Sequence, residues 1–184
     1  AVYTGATGTG GSVSAPVTQV VDPAATATVV TSSANPAVAG QKVTYTATVS
    51  TVAPGGGTAT GTVTFLDGTT TIGTASLSGG AAKLAIPLPV GTHTVMAAYA
   101  GNGSYAPSTS APLAETIGKA ASTTVLRSSP NPSRVGRSVT LTATVKAVAP
   151  GSGSPTGTVT FFDGTTVIGT GTVNANGTAS VATT

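Results

Sequence analysis

The chain has 184 residues, no cysteine, 6% charged residues and a net charge of +3. Without cysteine there is no disulfide and no thiolate chemistry. Seven basic residues against four acidic ones, thinly scattered, cannot make the dense basic stripe with stacking aromatics that nucleic acid requires, and no uninterrupted apolar run of about 20 residues is available to span a membrane.

The places vacated by charge are taken by Thr, Ser, Gly, Ala and Val. Hydroxyl groups must therefore solvate much of the surface, or that surface lies against other copies. The chain starts at Ala1 without an initiator methionine, which reads as processing or cutting from something longer.

Taken in order, Ala1–Gly5 (AVYTG) and Ser14–Pro16 (SAP) come first, and both patterns return further on. Thr28–Ser32 is the first strand of a module, ended by Asn35-Pro36. Lys42–Ser50 alternates apolar and polar residues, so Val43, Tyr45, Ala47 and Val49 are expected inward and the threonines outward. After the loop Ala53-Pro54-Gly55-Gly56-Gly57, Thr62–Phe65 alternates again and runs into Asp67-Gly68, a strong hairpin signal. The return strand carries Ile72 and Leu77. A turn at Ser78-Gly79-Gly80 leads to Lys83–Ile86. Thr92–Tyr99 places Val95, Ala97 and Tyr99 on one face, and the chain re-enters a strand near Ala111–Ile117. No window shows a helical period, and the Thr, Val, Gly and Pro content opposes helix.

This pattern then repeats with a period of 96 residues. Without gaps, 32 of the 64 positions in 25–88 are identical to 121–184. GTVTFLDGTTTIGT (Gly61–Thr74) returns as GTVTFFDGTTVIGT (Gly157–Thr170), and Ala1–Gly5 and Ser14–Pro16 match Ala97–Gly101 and Ser110–Pro112. The turn Asn174-Ala175-Asn176-Gly177 is expected to hold one extra residue, aligning Val181 with Leu84. A repeat this long is a domain in itself. Residues 1–24 thus read as the last strands of a preceding module, 25–120 as a complete module, and 121–184 as the first part of a following one. About seven short strands per repeat, with turns every 8–12 residues, predict an all-β antiparallel sandwich. Phe65 and Phe161 should be buried at equivalent places, with Leu66 and Phe162 on the opposite face.

The set SSxNPxxxGxxVTxTATV, PTGTVTFxDG, IGT and VGTHTVxAAYAGNGSYAPSTSAP resembles the bacterial immunoglobulin-like repeats of very large secreted and cell-surface proteins. The resemblance covers Ala25–Ala120 completely, Ala121–Thr184 for five strands, and Ala1–Val21 for the end of a module. It implies tandem immunoglobulin-like sandwiches acting as a stalk, spacer or adhesive module, with no shared catalytic residues. Gly101-Asn102-Gly103-Ser104 lacks the acidic residue often seen after the family's Tyr-x-Gly, which counts against calcium there.

The residues offer little chemistry. His93 is the only histidine and, without carboxylate or thiol company, reads as structural. Asp67 and Asp163 are copies of one turn residue, and Asp22 and Glu115 read as linker-side. No facing carboxylate pair for glycoside hydrolysis or acidic cluster for calcium is expected. A Lys–Asn isopeptide bond would need a buried acid. Inward positions offer none, and Lys42 has no counterpart at Ser138, so Lys42, Lys83, Lys119 and Lys146 read as solvated. Asn102-Gly-Ser and Asn176-Gly-Thr match the glycosylation pattern, but turn geometry explains both.

The expectation is therefore a non-enzymatic, extracellular structural repeat without cofactor or metal. Its partners would be copies of itself, head to tail, in a fibre, stalk or filament. The alternatives are an adhesin or carbohydrate-binding module carrying an aromatic platform from Tyr3, Tyr99 and Tyr105, and an appendage of a secreted hydrolase. The short junction Gly118-Lys119-Ala120 should hold modules end to end. The strand pattern is interrupted at both ends. Tyr3, Val17 and Val21 are therefore expected to complete a following head, where Tyr99, Leu113 and Ile117 sit in the whole module, either from a separate copy or, the favoured reading, along a longer covalent array with the same packing.

Overall fold

The computed structural model describes all 184 residues, with sixteen strands and no helix. The first two, β1 (Val2–Tyr3) and β2 (Ser12–Val13), form a small exposed hairpin. The next nine strands form one complete sandwich: β3 (Thr26–Ser32), β4 (Ala37–Val38), β5 (Val43–Thr51), β6 (Thr62–Asp67), β7 (Thr70–Ser76), β8 (Ala81–Ile86), β9 (Gly91–Tyr99), β10 (Ser108–Thr109) and β11 (Leu113–Gly118). One sheet has the order β3-β5-β8. The other runs β4-β11-β9-β6-β7, with β10 also paired to β9. All pairings are antiparallel except β4 against β11.

Strand parity follows the alternation. Val43, Tyr45, Ala47 and Val49 on β5 are buried, as are Val63 and Phe65 on β6 and Val95, Ala97 and Tyr99 on β9. Ala47, Ala82 and Ala97 let the sheets approach, and Tyr45, Phe65 and Tyr99 fill the space between them. The Asp-Gly turn forms between β6 and β7, with Gly68 at φ 57°, a conformation that glycine adopts without steric cost. The glycine of the IGT motif has a packing reason. A methyl group added at Gly73 would lie 2.8 Å from both methyl groups of Leu84 on β8.

Five further strands repeat this layout: β12 (Ser122–Ser129), β13 (Val139–Ala147), β14 (Thr158–Asp163), β15 (Thr166–Thr172) and β16 (Thr178–Thr183). The order β12-β13-β16 copies β3-β5-β8, and β14-β15 copies β6-β7. Leu141 faces Val181 as Tyr45 faces Leu84, so the turn at Asn174–Gly177 does carry one extra residue. Asn174 Oδ1 holds that larger turn by accepting hydrogen bonds from the Asn176 and Thr178 amides and the Thr178 hydroxyl. Phe161 is buried while Phe162 on the opposite face is 55% exposed.

Two expectations need correction. Glu115 is not linker-side. It lies on β11 between the inward-facing Leu113 and Ile117 and is fully buried. An acid does therefore occupy an inward position. Tyr99 cannot belong to an exposed aromatic platform, because it is buried and its hydroxyl donates to the Thr60 carbonyl at 2.7 Å.

Candidate functional sites

His93 starts the inward row of β9 and has carboxylate company after all. Its Nδ1 lies 2.6 Å from Asp67 Oδ2 and its Nε2 lies 2.9 Å from the Pro89 carbonyl. The second Asp67 oxygen accepts the Thr94 amide at 2.9 Å. Asp67 thus ties the end of β6 to the start of β9, a role beyond that of a turn residue. The hydrogen bond to Asp67 chiefly raises the His93 pKa above the ordinary histidine value. Burial opposes that rise, and the Pro89 carbonyl and the charges of Asp67 and Glu115 add to it. Burial pushes the Asp67 carboxyl up, but the hydrogen bonds from His93 and Thr94 prevail and hold it below its usual range.

Glu115 pairs with His93 across β11 and β9. Neither of its carboxyl oxygens has a hydrogen-bond partner, and the buried Tyr45 hydroxyl on the facing sheet lacks one as well. Burial, reinforced by the charges of Glu115 and Asp67, raises the Tyr45 pKa. The four lysines are exposed, so none shares the buried position of Glu115 to form an isopeptide bond. No group of three or more His, Cys, Asp or Glu side chains is placed to hold a metal ion.

Between β10 and β11 the ladder is interrupted, and Ser110 bridges the gap. Its amide donates to the Ala97 carbonyl, while its hydroxyl accepts the Ala97 amide at 3.0 Å and donates to the Ala111 carbonyl. Asn102 is equally committed. Its oxygen accepts the amides of Ser104 and Tyr105, and its nitrogen donates to Thr60. This side chain is part of the turn. Asn176 has no such commitment.

Where the two units meet, the segment leading into each sandwich is built against its Pro-Gly loop. Ala24 lies on Gly55, and Ala120 lies on Gly151 in the same way. Across the junction, the Ser152 amide donates to the Ala39 carbonyl at 3.2 Å and the Ser152 hydroxyl donates to the Gly40 carbonyl at 2.6 Å.

A further feature is an open edge. In the complete sandwich β6 pairs on both sides, with β7 and with β9. Its counterpart β14 pairs only with β15. Leu126 is accordingly 57% exposed, whereas its counterpart Val30 is 7% exposed. At the other end, Tyr3, Val17 and Val21 are all exposed. The hairpin holding Tyr3 keeps the register of the whole module. Tyr3 faces Ser12 and Val2 faces Val13, as Tyr99 faces Ser108 and Ala98 faces Thr109.

A family model described as bacterial Ig-like domain (group 3) matches residues 30–118 and again 126–184. The chain belongs to this family. Such Ig-like domains are generally non-catalytic and typically occur in extracellular or cell-surface proteins. Among solved structures, the fibronectin(III)-like modules of Clostridium thermocellum CbhA are similar over 84% of this chain and 77% of that one, at 22% identity and a TM-score of 0.37. No curated protein sequence matches the chain. No helix of the structure is long and apolar enough to cross a membrane.

Proposed function

We propose that these Ig-like modules form a non-catalytic, extracellular structural array, with successive modules joined head to tail as a stalk, fibre or filament. The observation that carries this reading is the repeated seat of the connecting segment, Ala24 on Gly55 and Ala120 on Gly151. Because the connector is packed into the module that follows it, adding modules in series reproduces one fixed joint. Ser152 strengthens that joint through its bonds to Ala39 and Gly40.

In the same reading, the open edge of β14 accepts a strand with the sequence of Ala1–Tyr3, followed by Val17 and Val21 at the places of Leu113 and Ile117. Transferring the β6–β9 register by one period places Val159 opposite Tyr3 and Phe161 opposite Ala1. An edge of unpaired backbone groups beside an uncovered core favours such strand addition.

Small-angle scattering and electron microscopy of the 184-residue chain test both parts. Rods with evenly spaced modules are expected, lengthening with concentration if copies complete one another. A compact, folded-back pair would sink the array, and a monomer unaffected by a synthetic Ala1–Val21 peptide would sink the strand addition.

A further inference from the structure

We propose that Asp67 and His93, with the buried Glu115 beside them, form a carboxylate–imidazolium latch across three neighbouring strands. It is closed while His93 is protonated and Asp67 is ionised, opens as the pH climbs through the folded His93 value, and governs the turn at Pro89 that carries Val90 into the groove between modules.

The geometry fixes the protonation state. A carboxylate and a backbone carbonyl only accept hydrogen bonds, so with Asp67 at Nδ1 and Pro89 at Nε2 both ring nitrogens must donate. Only the imidazolium can do this. A neutral imidazole has one N–H, so deprotonation turns one nitrogen's lone pair toward an acceptor oxygen. The bond to the Asp67 carboxylate is charge-assisted and is the stronger of the two. The proton therefore stays on Nδ1, and the bond to Pro89 is the one lost.

That loss reaches the joint. Pro89 is followed by Val90, which lines the inter-module groove with Ala39, Lys119, Ala120 and Ser152. Releasing the Pro89 carbonyl frees the turn that forms one side of this groove. Glu115 tightens the latch from within. It stands directly opposite His93 on the neighbouring strand, a spacing of about 5 Å between Cβ atoms, and it has no hydrogen-bond partner of its own. The ionisable groups around the imidazole are Asp67 from β6, Glu115 from β11 and Tyr45 from β5 on the facing sheet. The charges that shift His93 are all acidic. One period before Glu115, the same position holds Gln19, a neutral side chain of nearly the same shape.

The sign follows from the shifts. The His93 pKa is raised by folding, so its stabilisation is fully present below the ordinary histidine value of about 6.5 and fades as the pH climbs through the folded value. Asp67 is shifted down, so its share fades only as the pH falls through its depressed folded value. The latch is closed between these limits. This inference concerns a single module and its joint, and it stands whether or not modules assemble into fibres.

The test is a nitrogen-15 NMR titration of the His93 ring in the full 184-residue chain, beside amide exchange at Gly91 and Thr92. Both ring nitrogens should be protonated at the acid end, with a midpoint above that of the same chain in urea. Protection of the two amides, corrected for intrinsic exchange, should fall about tenfold through that midpoint, the weight of one charged hydrogen bond. Glu115→Gln should lower the midpoint while the chain stays folded, and Asp67→Asn should lower it further. A midpoint at or below that of the unfolded chain, or a single neutral tautomer at the acid end, would overturn the latch. Amide protection that ignores the His93 titration would overturn its link to the joint. His93→Gln should abolish the pH dependence of protection. If that variant does not fold, the wild-type ring titration still decides.

Discussion

Ala120 lies so close to Gly151 that a methyl group added at Gly151 would come within 2.5 Å of the Ala120 Cβ, and Ala24 stands in the same relation to Gly55 at 2.7 Å. The conflict is between a methyl group and backbone-anchored carbon, so neither side can simply rotate away. Gly151→Ala should therefore push the connector off its seat. Scattering should show a broader distribution of angles between the modules, while circular dichroism stays that of folded β-sheet. An unchanged scattering curve would mean that the seat does not set the joint.

Phe65 and Phe162 differ in parity and should differ in energy. Phe65 is fully buried between the sheets, so Phe65→Ala should cost about 3–5 kcal/mol in chemical denaturation. Phe162 is 55% exposed, so Phe162→Ala should stay within about 0.5 kcal/mol. Equal losses at the two positions would contradict the assigned faces.

Ser110→Ala removes the acceptor of a buried amide. The Ala97 N–H would be left without a partner inside the sandwich, at a cost of about 1–3 kcal/mol. Ser110→Thr keeps the hydroxyl and should recover part of the loss. Thermal unfolding of the two variants side by side measures this. Equal melting temperatures for wild type and Ser110→Ala would remove Ser110 from the account of the gap between β10 and β11.

Asp67 should give the module an acid limb. Its carboxyl is held below the ordinary range, so the stability it adds is present above the unfolded value of about 3.9 and is lost as pH falls through the folded one. Denaturation midpoints measured from pH 6 down to pH 2 should decline in the wild type and flatten in Asp67→Asn. A variant that keeps the full decline would assign the acid limb to other carboxyl groups.

The Tyr45 hydroxyl is buried without a hydrogen-bond partner, so Tyr45→Phe removes an unpaired polar atom and leaves the ring in place. The substitution should be neutral or stabilising, by up to about 1 kcal/mol. A clear loss of stability would show that the hydroxyl is satisfied in solution, with Glu115 as the acid on the facing sheet. Leu141, which holds the same place one repeat later, shows that an apolar side chain fits this position.

Much of the fold was legible from the residues alone because strand alternation is local. Whether Tyr45, Phe65 or Phe161 points inward depends on a period of two and on which of its neighbours are apolar. The Asp-Gly turns and the extra residue at Asn174–Gly177 were readable for the same reason, since each involves residues adjacent in the chain. Glu115 was misread as linker-side, although it shares the parity of Leu113 and Ile117 on β11 and is buried with them. Tertiary structure alone decided the rest. Asp67 and His93 are 26 residues apart and meet only because β6 and β9 are neighbours in the sheet. Glu115 joins them because β11 flanks β9 on its other side. Ser152 reaches Ala39 and Gly40 over a separation of more than 100 residues, through the way one sandwich sits on the next. Sequence alternation sets which face a side chain occupies. Strand order and module docking set its partners, and these depend on packing between segments that the local pattern does not encode.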